Sequence, residues 1–214
     1  MPYKINKLET LLWDFDGVIL DSMAVRDIGF ERIFESFPKT QVDELLDFHR
    51  TNGGWSRYVK IEHFFKNIAR IEFTQEDILA YAEKFSVIMK KELTNPTRLI
   101  MDAVDYIKEY HTKQNFHVVS GSDHTELNYL CKELGLAQYF ISIHGSPTVK
   151  TKLVADLMEK HKYNAETTGL IGDSINDKDA AEANDIAFYG YNNTDFHQLP
   201  GFVPSLAVLI DTAK

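Results

Sequence analysis

An α/β protein, with a doubly wound parallel sheet interrupted by an inserted α-helical domain, is the fold class this sequence predicts. Three observations lead there. Short apolar runs ending in glycine-containing polar loops recur along the chain. From residue 95 onward they alternate with segments of helical spacing. Between residues 21 and 94 the alternation is missing and helical spacing alone is found. Strands alternating with helices build a parallel sheet covered on both faces. A block with only the helical period forms a separate module.

The first strand is Thr10-Leu11-Leu12-Trp13, running into Asp14-Phe15-Asp16-Gly17-Val18. A strand apolar at successive positions is buried on both faces, and in open α/β sheets ligands bind at the carboxyl ends of strands. Helical faces follow at Phe30, Ile33, Phe34 and Phe37, then at Val42, Leu45, Leu46 and His49. Ile61, Phe64, Phe65 and Ile68 repeat the spacing, as do Ile78, Ala82, Phe85 and Met89. Thr74 with Asp77 resembles a helix-start capping box, Asp replacing the usual Glu or Gln. After Asn95-Pro96, Ile100, Val104 and Ile107 mark a helix, and Phe116 to Gly121 a strand. Leu127, Leu130, Leu134 and Leu136 predict a helix closing at Gly135. Tyr139 to Ile143 reads as a strand, and Leu153, Val154, Leu157 and Met158 as a helix face. Gly169 to Gly172 is a strand end, Asp177 to Ala183 a helix and Ile186 to Tyr189 a strand. Phe202 to Lys214 reads as a short edge strand. The core therefore comprises residues 1–20 and 95–214, Rossmann-like in its alternation, and the helical domain residues 21–94.

Composition narrows the function classes. With 44% hydrophobic and 26% charged residues, the 214-residue chain reads as globular rather than disordered. Its net charge of -9 argues against a nucleic-acid binder, which needs a basic face. No apolar run approaches the roughly 18 residues of a membrane span. The start, Met-Pro-Tyr-Lys-Ile-Asn-Lys, carries no signal-peptide pattern, so a cytoplasmic protein is expected. Cys131 is the single cysteine, which excludes an internal disulfide and any multi-cysteine metal site. No glycine-rich loop of nucleotide-binding type occurs. Either a monomer or a weak homodimer fits.

Four loop positions carry chemistry. Asp14 and Asp16, two apart on an extended strand, would point to one side, one as nucleophile and one as proton donor and acceptor. Ser120 and Gly121 end a strand, where a hydroxyl and free N–H groups can hold a phosphoryl oxygen. Lys150 or Lys152 opens a helix, and an ammonium there can neutralise a phosphoryl group or an aspartate. Gly172-Asp173-Ser174-Ile175-Asn176-Asp177 is an acidic loop suited to a hard cation such as Mg²⁺.

Taken together and in this order, Asp14-Phe15-Asp16-Gly17-Val18, Ser120, Lys150 and Gly172 to Asp177 resemble the haloacid dehalogenase superfamily of aspartate-nucleophile hydrolases. The continuation Ile19-Leu20-Asp21-Ser22 is similar to its phosphoglycolate phosphatase and β-phosphoglucomutase branch, whose cap would correspond to residues 21–94. The resemblance implies a Mg²⁺-dependent phosphatase acting on a small phosphorylated metabolite through an aspartyl-phosphate. It implies that Asp14 attacks phosphorus, that Asp16 protonates the leaving oxygen and then activates water, and that Ser120 binds the phosphoryl group. Asp14, the backbone carbonyl of Asp16, and Asp173 would hold Mg²⁺, with Asp177 a further ligand or an orienting group for the lysine. Members of this branch often place proline directly after the lysine; here Thr151 follows Lys150, so Lys150 is favoured and Lys152 stays open. A phosphomutase would use the same residues, and a silent binding subunit is the rival of another class. Asp16 counts against a dehalogenase or a phosphonatase.

The loop Asn52 to Lys60 offers two readings. Its glycines and Trp55 can form a substrate-facing loop in which Arg57 or Lys60 binds an anionic group. Alternatively it is a tight connection between helices whose basic residues face water. His49, His63 and His111 read as surface or core residues, while His124 and His144 lie near strand ends with a minor active-site role open.

Overall fold

In a computed structural model, which describes residues 4–210, the strands are β1 (Thr10–Trp13), β2 (Asn115–Asp123), β3 (Ser142–Ser146), β4 (Thr168–Gly172) and β5 (Ala187–Gly190). All pair in parallel in the order β3-β2-β1-β4-β5. From β1 the chain builds outward to β3, then crosses back to β4 and β5. The order thus reverses beside the carboxyl end of β1, and there a sheet of this kind leaves a crevice.

The first strand is central, and its alternation feeds both faces. Leu11 and Trp13 join the larger core, with Trp13 packed on Tyr106 and Phe116 at 5.9 and 5.5 Å between rings. Leu12 joins a second core with Val119, Leu170 and Ala180. That division explains why the strand reads as a continuous apolar run. Helices α5 (Met101–Tyr110), α6 (His124–Glu133), α7 (Lys150–His161) and α8 (Ile175–Glu182) link the strands.

Residues 22–93 hold no strand. They form α1 (Met23–Ile33), α2 (Lys39–Thr51), α3 (Arg57–His63), a π-helical turn over Phe64–Ala69, and α4 (Gln75–Glu92). The buried residues of α2 are Val42, Leu45, Leu46 and His49, the face the spacing predicts. Phe34 is the centre of an aromatic cluster, with ring centroids 3.9 Å from Phe64 and 4.9 Å from Tyr81. Phe37 and Phe65 close it, each 5.8 Å away. The close crossing of α1 and α4 needs Gly29, where a Cβ would fall 2.5 Å from the Met89 methyl. At α4 the capping box is present: Thr74 N–H donates to Asp77 Oδ2 at 2.8 Å, and Asp77 N–H to Thr74 Oγ1 at 3.2 Å.

Three elements differ from the sequence expectation. The strand expected at Tyr139–Ile143 is β3, Ser142–Ser146. Phe140 packs into the large core after a 3-10 turn at Ala137–Tyr139, and strand pairing starts only where Ser142 meets His117. The predicted edge strand after Phe202 is reduced to one bridge, Val203 to Tyr191. The chain then turns into a short helix, α9 (Ala207–Ile210), because Asp102 accepts from the Leu206 N–H and the Ser205 hydroxyl at 3.0 Å each. The end of that prediction, 211–214, lies outside the described residues. Finally, α8 starts at Ile175 rather than Asp177, since Ser174 and Asp177 form a capping box of their own.

Truncating Phe34 to alanine removes the hub of the helical segment's aromatic cluster. Urea unfolding is expected to show a loss of ~3–5 kcal/mol for Phe34→Ala.

Candidate active site

Asp14 directly follows β1, where its N–H continues the pairing with β4 by donating to Ile171 O at 3.0 Å. Its carboxylate is buried, and Oδ1 accepts from Lys150 Nζ at 2.8 Å. Lys150, the first residue of α7, also donates to Asp177 Oδ1. The other oxygen of Asp177 takes the Ser174 N–H at 3.0 Å and the Ser174 hydroxyl. With both oxygens engaged, Asp177 is placed to orient the lysine. Asp173, just past β4, completes the group: Asp14, Asp173 and Asp177 each present an oxygen within 4.8 Å of the others. Lys152, in contrast, pairs with Asp156 on the surface of α7. Of the two lysines, Lys150 is the one that reaches the aspartates.

The backbone makes room for this cluster. Gly17 adopts φ +77°, and a Cβ there would fall 1.9 Å from Asp173 Oδ2. At Gly172 a Cβ would fall 2.3 Å from Asp177.

Asp16 does not share its neighbour's surroundings. The strand stops at Trp13, so the two-residue alternation that would align the carboxylates no longer operates at Asp16. Its Oδ1 accepts from the Ser22 hydroxyl at 2.5 Å and from Arg26 Nε at 2.8 Å, and its Oδ2 from the Ser122 hydroxyl. Asp14 and Asp16 still line one cavity of about 510 Å³, together with Ser120, Gly121, Asp173 and side chains of the helical segment. Ser120 is buried, and its Oγ accepts from the Ser122 N–H at 3.1 Å. Gly121 lies under the loop between α2 and α3. A Cβ at Gly121 would stand 2.1 Å from Gly54 O, which also accepts from Asn176 Nδ2 at 2.9 Å.

Arg57 and Lys60 are both buried rather than turned to water. Arg57 is 4% exposed; its Nη1 donates to Glu126 Oε2 at 2.6 Å and to Ser86 Oγ at 2.7 Å, and its guanidinium lies over Phe85. Its Nη2 finds no hydrogen-bond partner among the described residues. Lys60, 2% exposed, donates to Gly53 O at 3.2 Å and shares a 2.8 Å hydrogen bond with His49 Nδ1. Both side chains line the cavity. His124 and His144 line a different one, beside the end of β3. Cys131 is buried, and burial pushes its thiol up to about 12, consistent with an inert residue.

The charges respond to burial. Burial, followed by the charge of Asp177, pushes Asp14 up to about 7 against the opposing pull of Lys150. Burial and then Asp14 raise Asp173 well above the usual carboxylate range. Burial alone would raise Asp16 too, but Arg26 and the two serine hydroxyls hold it below its ordinary value. Lys60 falls to about 7, first through burial and then through Arg26. Three carboxylates lie close together here, two of them buried and paired with the one lysine, so the set is short of positive charge, and hard oxygen donors of this kind fit a divalent cation such as Mg²⁺.

Sequence reading missed Ser22 as a ligand of Asp16, and with it Arg26, Ser122 and Glu126. Ser22 and Arg26 stand four residues apart at the start of a helix, a spacing that puts both on one face. Glu126 gave no such sign; it reads as an ordinary acidic residue in the first turn of α6.

The profile of the haloacid dehalogenase-like hydrolases matches residues 11–191. The chain belongs to that family. No curated protein matches it in sequence. Among solved structures, this haloacid dehalogenase-like hydrolase is similar to a predicted phosphoglycolate phosphatase from Haemophilus somnus 129PT, with TM-score 0.75 and 15% identity over 97% of this chain and 99% of that one. It is also similar to β-phosphoglucomutase from Clostridium difficile, with TM-score 0.74 and 16% identity over 94% and 93% of the two chains. A third likeness is to CbbY from Rhodobacter sphaeroides in complex with phosphate, with TM-score 0.72 and 18% identity over 94% and 96%. At these identities the likeness establishes the α/β fold with its helical segment.

The two lysines of α7 separate in a stability measurement made in EDTA. Lys150→Met strands buried carboxylates and should cost about 3 kcal/mol in urea unfolding. Lys152→Ala should leave the unfolding midpoint where it is.

Proposed function

We propose that this hydrolase is a Mg²⁺-dependent phosphatase of a small phosphorylated metabolite, working through an aspartyl-phosphate on Asp14, with residues 21–94 as its cap. The observation that carries the reading is the Asp14 carboxylate, buried at the end of the central strand, hydrogen-bonded to Lys150 and open to a cavity shared with Asp16, Ser120 and Asp173. A cytoplasmic location belongs to the same proposal; among the described residues no helix is long and apolar enough to cross a membrane.

Asp14, Asp173 and the backbone carbonyl of Asp16 would hold Mg²⁺, with Asp177 oriented instead toward Lys150. When bound, the cation neutralises phosphoryl oxygens so that a carboxylate can approach them. Asp14 then bonds to phosphorus while the bond to the ester oxygen breaks. Lys150 balances part of the charge gathered there, and Ser120 with the N–H groups of its loop receives a phosphoryl oxygen. The departing oxygen takes a proton from Asp16. Held as an ionised carboxylate, Asp16 must first acquire that proton, which the monoanion of the ester carries. In the second half, Asp16 accepts a proton from water as the water oxygen attacks phosphorus. The bond to Asp14 breaks and inorganic phosphate leaves. Arg57 and Lys60, which line the same cavity, would meet the remainder of the substrate.

Phosphate release from a panel of phosphorylated metabolites, with Mg²⁺ and with EDTA, tests the reading. Release from one or a few compounds, abolished by EDTA and restored by Mg²⁺, is expected. Conversion of a hexose 1-phosphate to its 6-phosphate without release would assign a mutase instead. Asp14→Asn should lose turnover by more than about 10³-fold with an unchanged circular dichroism spectrum, and near-normal activity in that variant would rule out the aspartyl-phosphate.

A further inference from the structure

Glu126 is a fully buried carboxylate to which the proposed chemistry gives no part. It sits in the first turn of α6, its N–H fixed by Asp123 Oδ1 at 2.9 Å. Both of its oxygens are taken by arginines of the helical segment. Oε1 accepts from Arg26 Nη1 at 3.3 Å, and Oε2 from Arg57 Nη1 at 2.6 Å. The two arginines belong to α1 and α3, and Arg57 in turn engages Ser86 on α4. One side chain of the core thereby holds two helices of the inserted segment directly, and a third through Arg57. Beyond Glu126, Arg26 continues inward. Its Nη2 donates to Ser122 Oγ at 2.8 Å and its Nε to Asp16 Oδ1 at 2.8 Å, while the Ser122 hydroxyl donates to Asp16 Oδ2. Thus Arg26 holds one oxygen of Asp16 directly, beside the Ser22 hydroxyl, and the other through Ser122, and Arg26 is itself held by Glu126.

We propose that Glu126 is a positioning residue for the reaction: by pairing Arg26 and Arg57 it seats the helical segment on the core, and through Arg26 it sets where the Asp16 carboxylate lies. This rests on the phosphatase reading, in which Asp16 moves the proton. The charge count requires such a residue. Two guanidiniums are buried here, and Asp16 alone would balance one of them. Glu126 balances the other. A neutral side chain of the same shape leaves an uncompensated buried cation, which relieves itself by drawing away from its neighbour. Arg26 would then leave its place between Asp16 and Ser122.

Removing a positioning residue for the proton donor harms esters in proportion to their need for a proton. An alkyl phosphate needs its departing oxygen protonated, whereas p-nitrophenolate leaves unprotonated. The parameter kcat/KM is suited to the comparison, because it covers only the steps up to loss of the leaving group. In Glu126→Gln, kcat/KM for the best alkyl phosphate should fall at least ~10-fold while that for p-nitrophenyl phosphate stays within about threefold. Equal losses on both esters, or none on either, would overturn the proposal. Glu126→Asp keeps the charge but is too short to reach both arginines, so it should show the same selectivity at smaller amplitude. It decides the matter where the glutamine variant does not fold, and failure of both to fold would assign Glu126 to folding alone and overturn the proposal. A wild-type protein that hydrolyses neither ester with Mg²⁺ fails in another way, since that outcome rejects the phosphatase reading itself.

Discussion

Negative charge held out of water at the ends of β1 and β4 is the constraint on which the rest of the molecule depends. Asp14 and Asp177 are buried with the Lys150 ammonium between them, and the half-buried Asp173 crowds in beside them. Like charges in a poorly polarisable interior repel strongly, and only a counter-charge at contact distance lets them coexist. That requirement fixes the start of α7, because Lys150 must enter from the helix's first turn. It also fixes the start of α8, where Asp177 caps the helix with one oxygen and holds Lys150 with the other. The two glycines beside the carboxylates follow from the same crowding, since a methyl group at either would overlap an aspartate.

A second group of buried charges joins the helical segment to the sheet, and it obeys a different rule. Here Asp16 and Glu126 face Arg26 and Arg57, two of each sign, so the cluster is balanced within the protein. The first cluster is not balanced and thereby favours a cation from outside. The cavity lies between an electrically incomplete floor and a wall whose charges are largely paired. Lys60 and His49 form the exception on that wall, a buried amine and imidazole joined to each other.

The sheet, its interruption by helices, and the residues at the strand ends were legible because each rests on local pattern. Asp14, Ser120, Lys150 and Asp173 occupy ends of strands or starts of helices, and those boundaries are written in neighbouring residues. Where pairing partners decide, the pattern misled. Tyr139 and Phe140 look like strand residues, yet the pairing of β3 with His117 sets the register three residues later. Asp16 looks aligned with Asp14 only if β1 continues past Trp13, which it does not. For Arg57 and Lys60 the loop left a substrate-facing and a water-facing reading open, because their partners, Glu126 and His49, come from other elements and cannot be inferred from the loop itself. Glu126 was the least legible of all, because its meaning lies in two arginines 100 and 69 residues away.

The place of β1 in the sheet has a consequence for how the chain reaches this structure. Thr10 pairs with Asn115 on one side and Thr168 on the other. The central strand is thus made before either of its partners and is paired on its second side only once β4 has been built. Contacts so distant in sequence close slowly, whereas the aromatic cluster between Phe34 and Tyr81 draws on nearby residues alone. The helical segment can therefore collapse while β1 still waits for its partners. An apolar strand left open for that interval is the point at which a nascent chain of this kind is exposed to aggregation, and where a chaperone would act.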